Sequence, residues 1–199
     1  MKKKDVSAHV YITNSKIQVL MGSCVKNKLQ VVNCYEEPLE EGCILNGIIM
    51  NNYSLQNTLT EMWQKYNLPA KGVTLVVNGS SITVKPLKVP QIAPKNVPGF
   101  IRGELRDIEG IQNMLVDYSV VTPKNPDGSC SILAVASTRE FITSYISLFK
   151  EAKIELEVVD LVQNCLIKMM KRLKSLQNVR SLSVLQPYAC LLYTSDAAD

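Results

Sequence analysis

Thr13, Asn14 and Ser15 stand in a polar turn, closed by Lys16, between two apolar runs at residues 10–12 and 17–20. Backbone N–H groups exposed by such a strand–turn–strand can converge on an anion, so a hairpin near a chain start is a natural cradle for phosphate. The turn carries no Gly, the residue that lets backbone approach a ligand closely, and no Asp. It has the frame of a nucleotide site without the residues that would do the chemistry. Thr13, Asn14 and Ser15 are therefore candidates for a degenerate phosphate hairpin.

Other reactive residue types are scattered. Six cysteines (Cys24, Cys34, Cys43, Cys130, Cys165 and Cys190) form no CxxC pair, and His9 is the single histidine. Zinc ligands at metal spacing are missing, so no metal site is expected. The cysteines are expected to be small buried hydrophobes with reduced thiols. The carboxylate pairs Glu36-Glu37 and Glu40-Glu41 flank Pro38 and read as a solvated loop; Asp107 and Glu109 read as surface. No nucleophile–base pair or metal cluster follows from spacing, so no catalytic residue is assigned.

Of the 199 residues, 46% are hydrophobic and 20% charged, with a net charge of +4, a balance that fits a globular chain with a substantial core. No apolar run is long enough to span a bilayer, and no apolar segment follows the basic start Lys2-Lys3-Lys4 as a signal peptide requires. A cytosolic protein is expected. The basic cluster Lys168, Lys171, Arg172 and Lys174 reads as a solvated helix face rather than a lipid or nucleic-acid patch, and the lack of interleaved aromatics argues further against nucleic acid.

The elements that must hold the turn follow from hydrophobic period. Residues 10–12, 17–21 and 29–35 predict an antiparallel meander ended by Glu36-Glu37-Pro38. Residues 41–51 predict a crossover with one short strand. Ser54 is the expected cap of a helix with Leu55, Leu59, Met62, Trp63 and Tyr66 on one face, and residues 73–77 predict a buried strand. Four prolines at 86, 90, 94 and 98 suggest a linker or domain entry over 84–99. A weak helix (100–111) and two strands (114–121 and 129–136) joined by a Pro-Asp-Gly turn come next. Ser137-Thr138-Arg139-Glu140 has capping-box spacing ahead of a stripe of Phe141, Ile142, Tyr145, Ile146 and Phe149. A strand at 155–159 precedes a last helix traced by Val162, Cys165, Leu166, Met169, Leu173 and Leu176, with Met169-Met170 expected in the core.

This order resembles the PilM family of type IV pilus assembly proteins, relatives of FtsA in the actin-like ATPase superfamily. Residues 8–18 lie without gaps over the family's Val-Gly-Ile-Asp-Ile-Gly-Ser-Ser-Ser-Ile-Lys pattern. Residues 38–47 are similar to its Leu-Pro-Glu-Gly-x-Ile segment, and Val116-Asp117-Tyr118 to its Val-x-x-Asp-Tyr strand. The family's Asp falls on Tyr11, its Gly on Thr13, its Lys on Gln18, and a later Gly on Lys153. The resemblance implies an α/β fold: the first half of an actin-like (ribonuclease H-like) molecule, a mixed sheet with flanking helices and an inserted α+β subdomain. It implies residues 5–83 as the first part of subdomain 1A, 84–157 as inserted subdomain 1C and 158–188 as a return to 1A; 189–199 resembles no continuation of the family and is expected to be a non-native tail. The implied function is a cytoplasmic adaptor, peripheral at the inner face of the membrane, in type IV pilus or related type II secretion or competence assembly. Its implied partners are the cytoplasmic N-terminal peptide of a PilN-like protein and the inner-membrane pilus subcomplex, with self-association left open and no nucleic acid. Intact family members take ATP with magnesium; with Asp and Gly replaced, no cofactor and no enzymatic activity are expected here. The alternative reading is an actin-like ATPase of the FtsA cell-division type or another ATPase of the sugar-kinase superfold.

Overall fold

The structure, a computed structural model, describes residues 6–25 and 28–172. Three strands open the chain, β1 (Ser7–Ile12), β2 (Lys16–Val25) and β3 (Lys28–Pro38), each antiparallel to the next. Two-residue strands β4 (Ile44–Leu45) and β5 (Ile48–Ile49) form a hairpin around Asn46-Gly47. Helix α1 (Asn52–Lys65) then leads to β6 (Val73–Val77), which pairs parallel to β1. After an insertion, α3 (Arg139–Glu151) leads to β10 (Leu156–Leu161), parallel to β6, and α4 (Val162–Arg172) follows. The five-stranded order is β10-β6-β1-β2-β3. A three-stranded meander extended by two parallel strands, each reached through a helix, is the mixed-sheet layout expected of an actin-like half.

One sheet face is sealed by the two crossover helices. Ala8, Val10 and Ile12 of β1 alternate inward beside Ile17 and Val19 of β2 and Val73, Leu75 and Val77 of β6. Helix α1 covers them with Leu55, Leu59, Met62 and Trp63, and α3 with Phe141, Tyr145, Leu148 and Phe149. Trp63 meets Phe149 edge-on, ring centroids 6.3 Å apart. The period-2 alternation puts His9, Tyr11, Thr74 and Val76 on the opposite, half-buried face, so β6 is sealed on one side rather than both.

The insertion is a second sheet with its own core. Strands β7 (Ile82–Val89), β8 (Leu115–Thr122) and β9 (Cys130–Ser137) pair antiparallel in the order β7-β9-β8. Helix α2 (Val97–Glu104) supplies Val97 and Ile101 to a cluster with Leu87, Val89, Ile132 and Ala134. Of the segment expected to be linker over 84–99, residues 84–89 thus belong to β7 and α2 starts at Val97. Pro86 is tolerated within it because β7 is an edge strand, where a missing N–H costs no ladder bond. The helix 139–151 and the strand near 156, expected in the insertion, serve the first unit instead: α3 packs in the first core and β10 completes the first sheet.

Several local expectations are corrected. Asn51, not Ser54, caps α1: its side chain accepts the Ser54 N–H. Thr138 caps α3 through the Phe141 N–H, in place of the Ser137/Glu140 box. Residues 41–51 form a hairpin, not a crossover with one strand, because Asn-Gly turns back on itself. Glu36 and Glu37 belong to β3 rather than a loop: Glu36 binds Lys16 and Gln18, and Glu37 binds Lys65 and Tyr66. Cys43 is buried, but Cys24 and Cys34 are exposed, since β2 and β3 outrun their cover. Met169 is 46% exposed, not core. Leu173, Lys174, Leu176, Cys190 and the 189–199 tail lie outside the described residues.

Candidate functional site

The turn after β1 satisfies its own backbone. Thr13 N–H donates to the Lys16 carbonyl at 2.9 Å. Thr13 Oγ1 accepts the N–H groups of Ser15 and Lys16 at 3.3 and 3.1 Å, and donates to the Lys16 carbonyl at 3.1 Å. Two donors that a glycine turn would aim at a phosphate are therefore engaged by a hydroxyl of the chain itself. The nearby cation is committed too. Lys16 Nζ and Gln18 Nε2 each lie 2.9 Å from Glu36 Oε2, and these hydrogen bonds hold the Glu36 carboxyl below the ordinary carboxylate range.

A cavity of about 160 Å³ opens beside this turn, at the carboxyl ends of the parallel strands β1 and β6. That is where open α/β sheets receive ligands. Tyr11, Thr13 and Asn14 line one side; Asn46, Gly47, Asn78, Gly79 and Ser80 line the other. Of the three turn residues singled out by sequence, Thr13 and Asn14 reach the cavity and Ser15 does not. No charged side chain lines it, and Tyr11 stands where the PilM pattern has Asp. The volume is well below the roughly 300–1,000 Å³ of typical small-molecule sites.

The far wall was missed because its residues look like turn punctuation. Gly47, at φ +82°, leaves room for no side chain: a Cβ there would lie 2.3 Å from the Asn78 carbonyl oxygen. Gly79 is also too tight for a side chain, with a Cβ there 2.7 Å from the Asn46 carbonyl oxygen. The contact is locked by Ser80 N–H to Asn46 O at 3.1 Å and by the buried Tyr145 hydroxyl to Gly47 O at 2.7 Å. Burial, and the neighbouring Cys43, push the Tyr145 pKa upward, so the phenol stays protonated and donating. The signal was present as Asn-Gly at 46–47 and again at 78–79, but pairing two distant turns is a tertiary fact.

Burial pushes the Cys43 thiol up and the Cys165 thiol up to about 11. Among the described residues no cluster of three or more His, Cys, Asp or Glu could hold a metal ion. At the first turn of α4, Gln163 Nε2 donates to Asn78 Oδ1 at 3.3 Å, tying that helix to the cavity wall.

A different kind of surface lies where the two units meet. Asp160, at the end of β10, accepts from Asn164 and Lys168 of α4 at 2.6 Å each. Burial raises its pKa, but those bonds, the Leu161 N–H and the Lys168 charge outweigh it and hold the carboxyl below its usual range. One turn further, Lys171 Nζ donates to the Val120 carbonyl on the outer edge of β8 at 3.1 Å. The Val120 side chain is 45% exposed and lines a hollow of about 390 Å³ in the inserted unit, with Tyr118, Ile132 and the prolines Pro90, Pro94 and Pro123. This hollow is apolar, with Lys124 as the charged member of its lining, and is large enough for side chains of a bound segment.

Comparison with known proteins identifies the relatives. The family model described as "Type IV pilus assembly protein PilM" matches residues 10–186. A solved "PilM-PilN type IV pilus biogenesis complex" superposes with a TM-score of 0.68 at 16% identity, over 80% of this chain and 48% of that one. The chain therefore spans about half the length of that relative. Lower similarity is found to the cytoplasmic domain of EpsL, an inner-membrane component of the type II secretion system of Vibrio cholerae (TM-score 0.48, 10% identity, 78% of this chain and 57% of that one). A Bacteroides thetaiotaomicron protein with an actin-like ATPase fold gives 0.44 at 11% identity, over 85% and 56%. No curated protein matches. With the family model spanning residues 10–186 of 199, and with the fold and strand order described above, the chain belongs to the type IV pilus assembly protein PilM family.

Proposed function

We propose that this chain acts as a docking adaptor in pilus assembly, holding the cytoplasmic N-terminal peptide of a PilN-like inner-membrane protein at the seam between its two units, and that it does so without nucleotide chemistry. The observation that carries the reading is the seam itself: α4 of the first unit reaches the β8 edge through Lys171, beside an apolar hollow that Val120 lines. Apolar side chains of an extended peptide would fill the hollow, and free backbone groups on the β8 edge would bind its main chain. Engagement of a membrane protein's cytoplasmic end would hold the adaptor at the inner face of that membrane.

Titration of a fluorescently labelled PilN N-terminal peptide tests this. Saturable binding, weakened at least tenfold by Val120→Asp, is expected; absence of saturation at high micromolar peptide would sink the reading. The second reading, an ATPase of the same superfold, has one observation in its favour, the position of the cavity at the carboxyl ends of β1 and β6. Against it stand the self-satisfied turn, the uncharged lining and the small volume.

A further inference from the structure

The β2–β3 ribbon outruns the rest of the first sheet. Strand β1 begins at Ser7, opposite Gly22, whereas β2 and β3 continue to pair through Ser23–Gln30, Cys24–Leu29 and Val25–Lys28. Three more rungs carry the ribbon about 10 Å past its neighbours. A bulge at Val31-Val32, where β2 passes from Met21 to Gly22, re-aims it. Gly22 leaves the bulge room, since a Cβ there would sit 3.0 Å from the Gln30 carbonyl oxygen and press it aside.

The projection is aliphatic. Leu29 is 65% exposed, Val31 53% and Val32 55%, and Leu29 and Val31, two apart in the strand, share a face. It is also basic. Lys28 stands on the ribbon, and the exposed Lys71 and Lys153 precede the starts of β6 and β10, which are parallel to β1 and so begin at this same end. Facing them are Glu155, 3.7 Å from Lys71, and Glu157 beside Gly72. In the sequence, Lys2, Lys3, Lys4 and Asp5 lead into Val6 and the start of β1. Among the described residues at the strand starts, Lys28, Lys71 and Lys153 stand against Glu155 and Glu157.

We propose that this end of the first sheet docks on an anionic lipid surface, with Leu29, Val31 and Val32 entering the interface and the lysines meeting the headgroups. The reach of the ribbon matches the roughly 5–10 Å depth to which amphipathic segments bury their apolar face in a bilayer interface. Charge complementarity selects lipid over a second copy, because two lysine-rich ends would repel, and the bulge disfavours pairing along β3. The exposed ribbon residues Leu29, Val31 and Val32 are aliphatic, which disfavours a stacked nucleic acid.

Co-sedimentation of the full chain with vesicles tests the proposal. Vesicles of equal parts phosphatidylglycerol and phosphatidylcholine should bind it at low salt at least tenfold better than phosphatidylcholine alone. Binding should vanish at about 1 M salt, where the Debye length is about 3 Å. Each lysine near an anionic surface is worth roughly a fivefold change in partitioning, so Lys28→Glu with Lys71→Glu should weaken binding at least tenfold. Leu29→Asp with Val31→Asp should do the same at unchanged circular dichroism. Failure of the unaltered chain to bind anionic vesicles, or binding indifferent to both variants, overturns the proposal. So does a dimer in sedimentation velocity that Leu29→Asp dissociates, which would assign the ribbon to self-association. The vesicles contain no protein, so the outcome stands apart from the peptide titration.

Discussion

Thr13 is the residue on which the loss of a phosphate cradle turns. Its hydroxyl accepts two backbone N–H groups of its own turn, so replacing it should loosen the hairpin before it restores any site. Thr13→Ala is expected to cost about 1 kcal/mol, the net worth of hydrogen bonds of this kind, read as a shift in urea midpoint. Tyr145→Phe should cost more, about 1–3 kcal/mol, because it leaves the buried Gly47 carbonyl unpaired. Asp160 gives a pH signature. Its folded pKa is depressed, so the stability it contributes is present above the unfolded value near 3.9 and is lost as pH falls through the lower folded value. Asp160→Asn should therefore flatten the acid limb of a stability–pH curve, with denaturant melts at neutral and acidic pH as the readout. Of these three residues, sequence pointed to Thr13 alone. Tyr145 looked like one more member of an apolar stripe, and its hydrogen bond joins residues 98 positions apart.

At the scale of elements, both crossover helices end alike. After α1, Asn67 at φ +48° donates to Gln64 O and Leu68 N–H to Trp63 O; after α3, Lys153 at φ +58° donates to Lys150 O and Ile154 N–H to Phe149 O. These paired bonds are the left-handed cap that glycine favours. Asn bears that conformation readily, whereas Lys pays for its Cβ. Lys153→Gly is expected to raise stability by about 1 kcal/mol in thermal melts. Helices and strands were legible wherever one period dominated, as in the Leu55, Leu59, Met62 and Trp63 stripe or the alternation along β1. They were misread where composition and tertiary position disagreed. Pro86 signals linker by type but sits in an edge strand, and Ser54 is a good cap by type but lies one turn inside the helix that Asn51 starts.

At the scale of the whole chain, the fold superposes on the solved PilM-PilN relative over 80% of this chain and 48% of that one. The proposed loss of nucleotide chemistry predicts that Mg-ATP leaves the melting temperature unmoved and gives no heat in titration calorimetry. A saturable heat abolished by Gly47→Val would overturn that reading. The resemblance was legible because strand–turn–strand order survives substitution of Asp and Gly. The closing of the turn by Thr13 was not, since a hydroxyl's hydrogen-bond partners depend on backbone angles. Pro86 leaves a gap in the donor row along the outer edge of β7, so a foreign strand cannot zip along it. The opposite edge, β8, has its Val120 carbonyl held by Lys171 and is otherwise open to a strand. Edge addition is thereby discouraged on the β7 side, and a segment that joins this sheet is directed to β8.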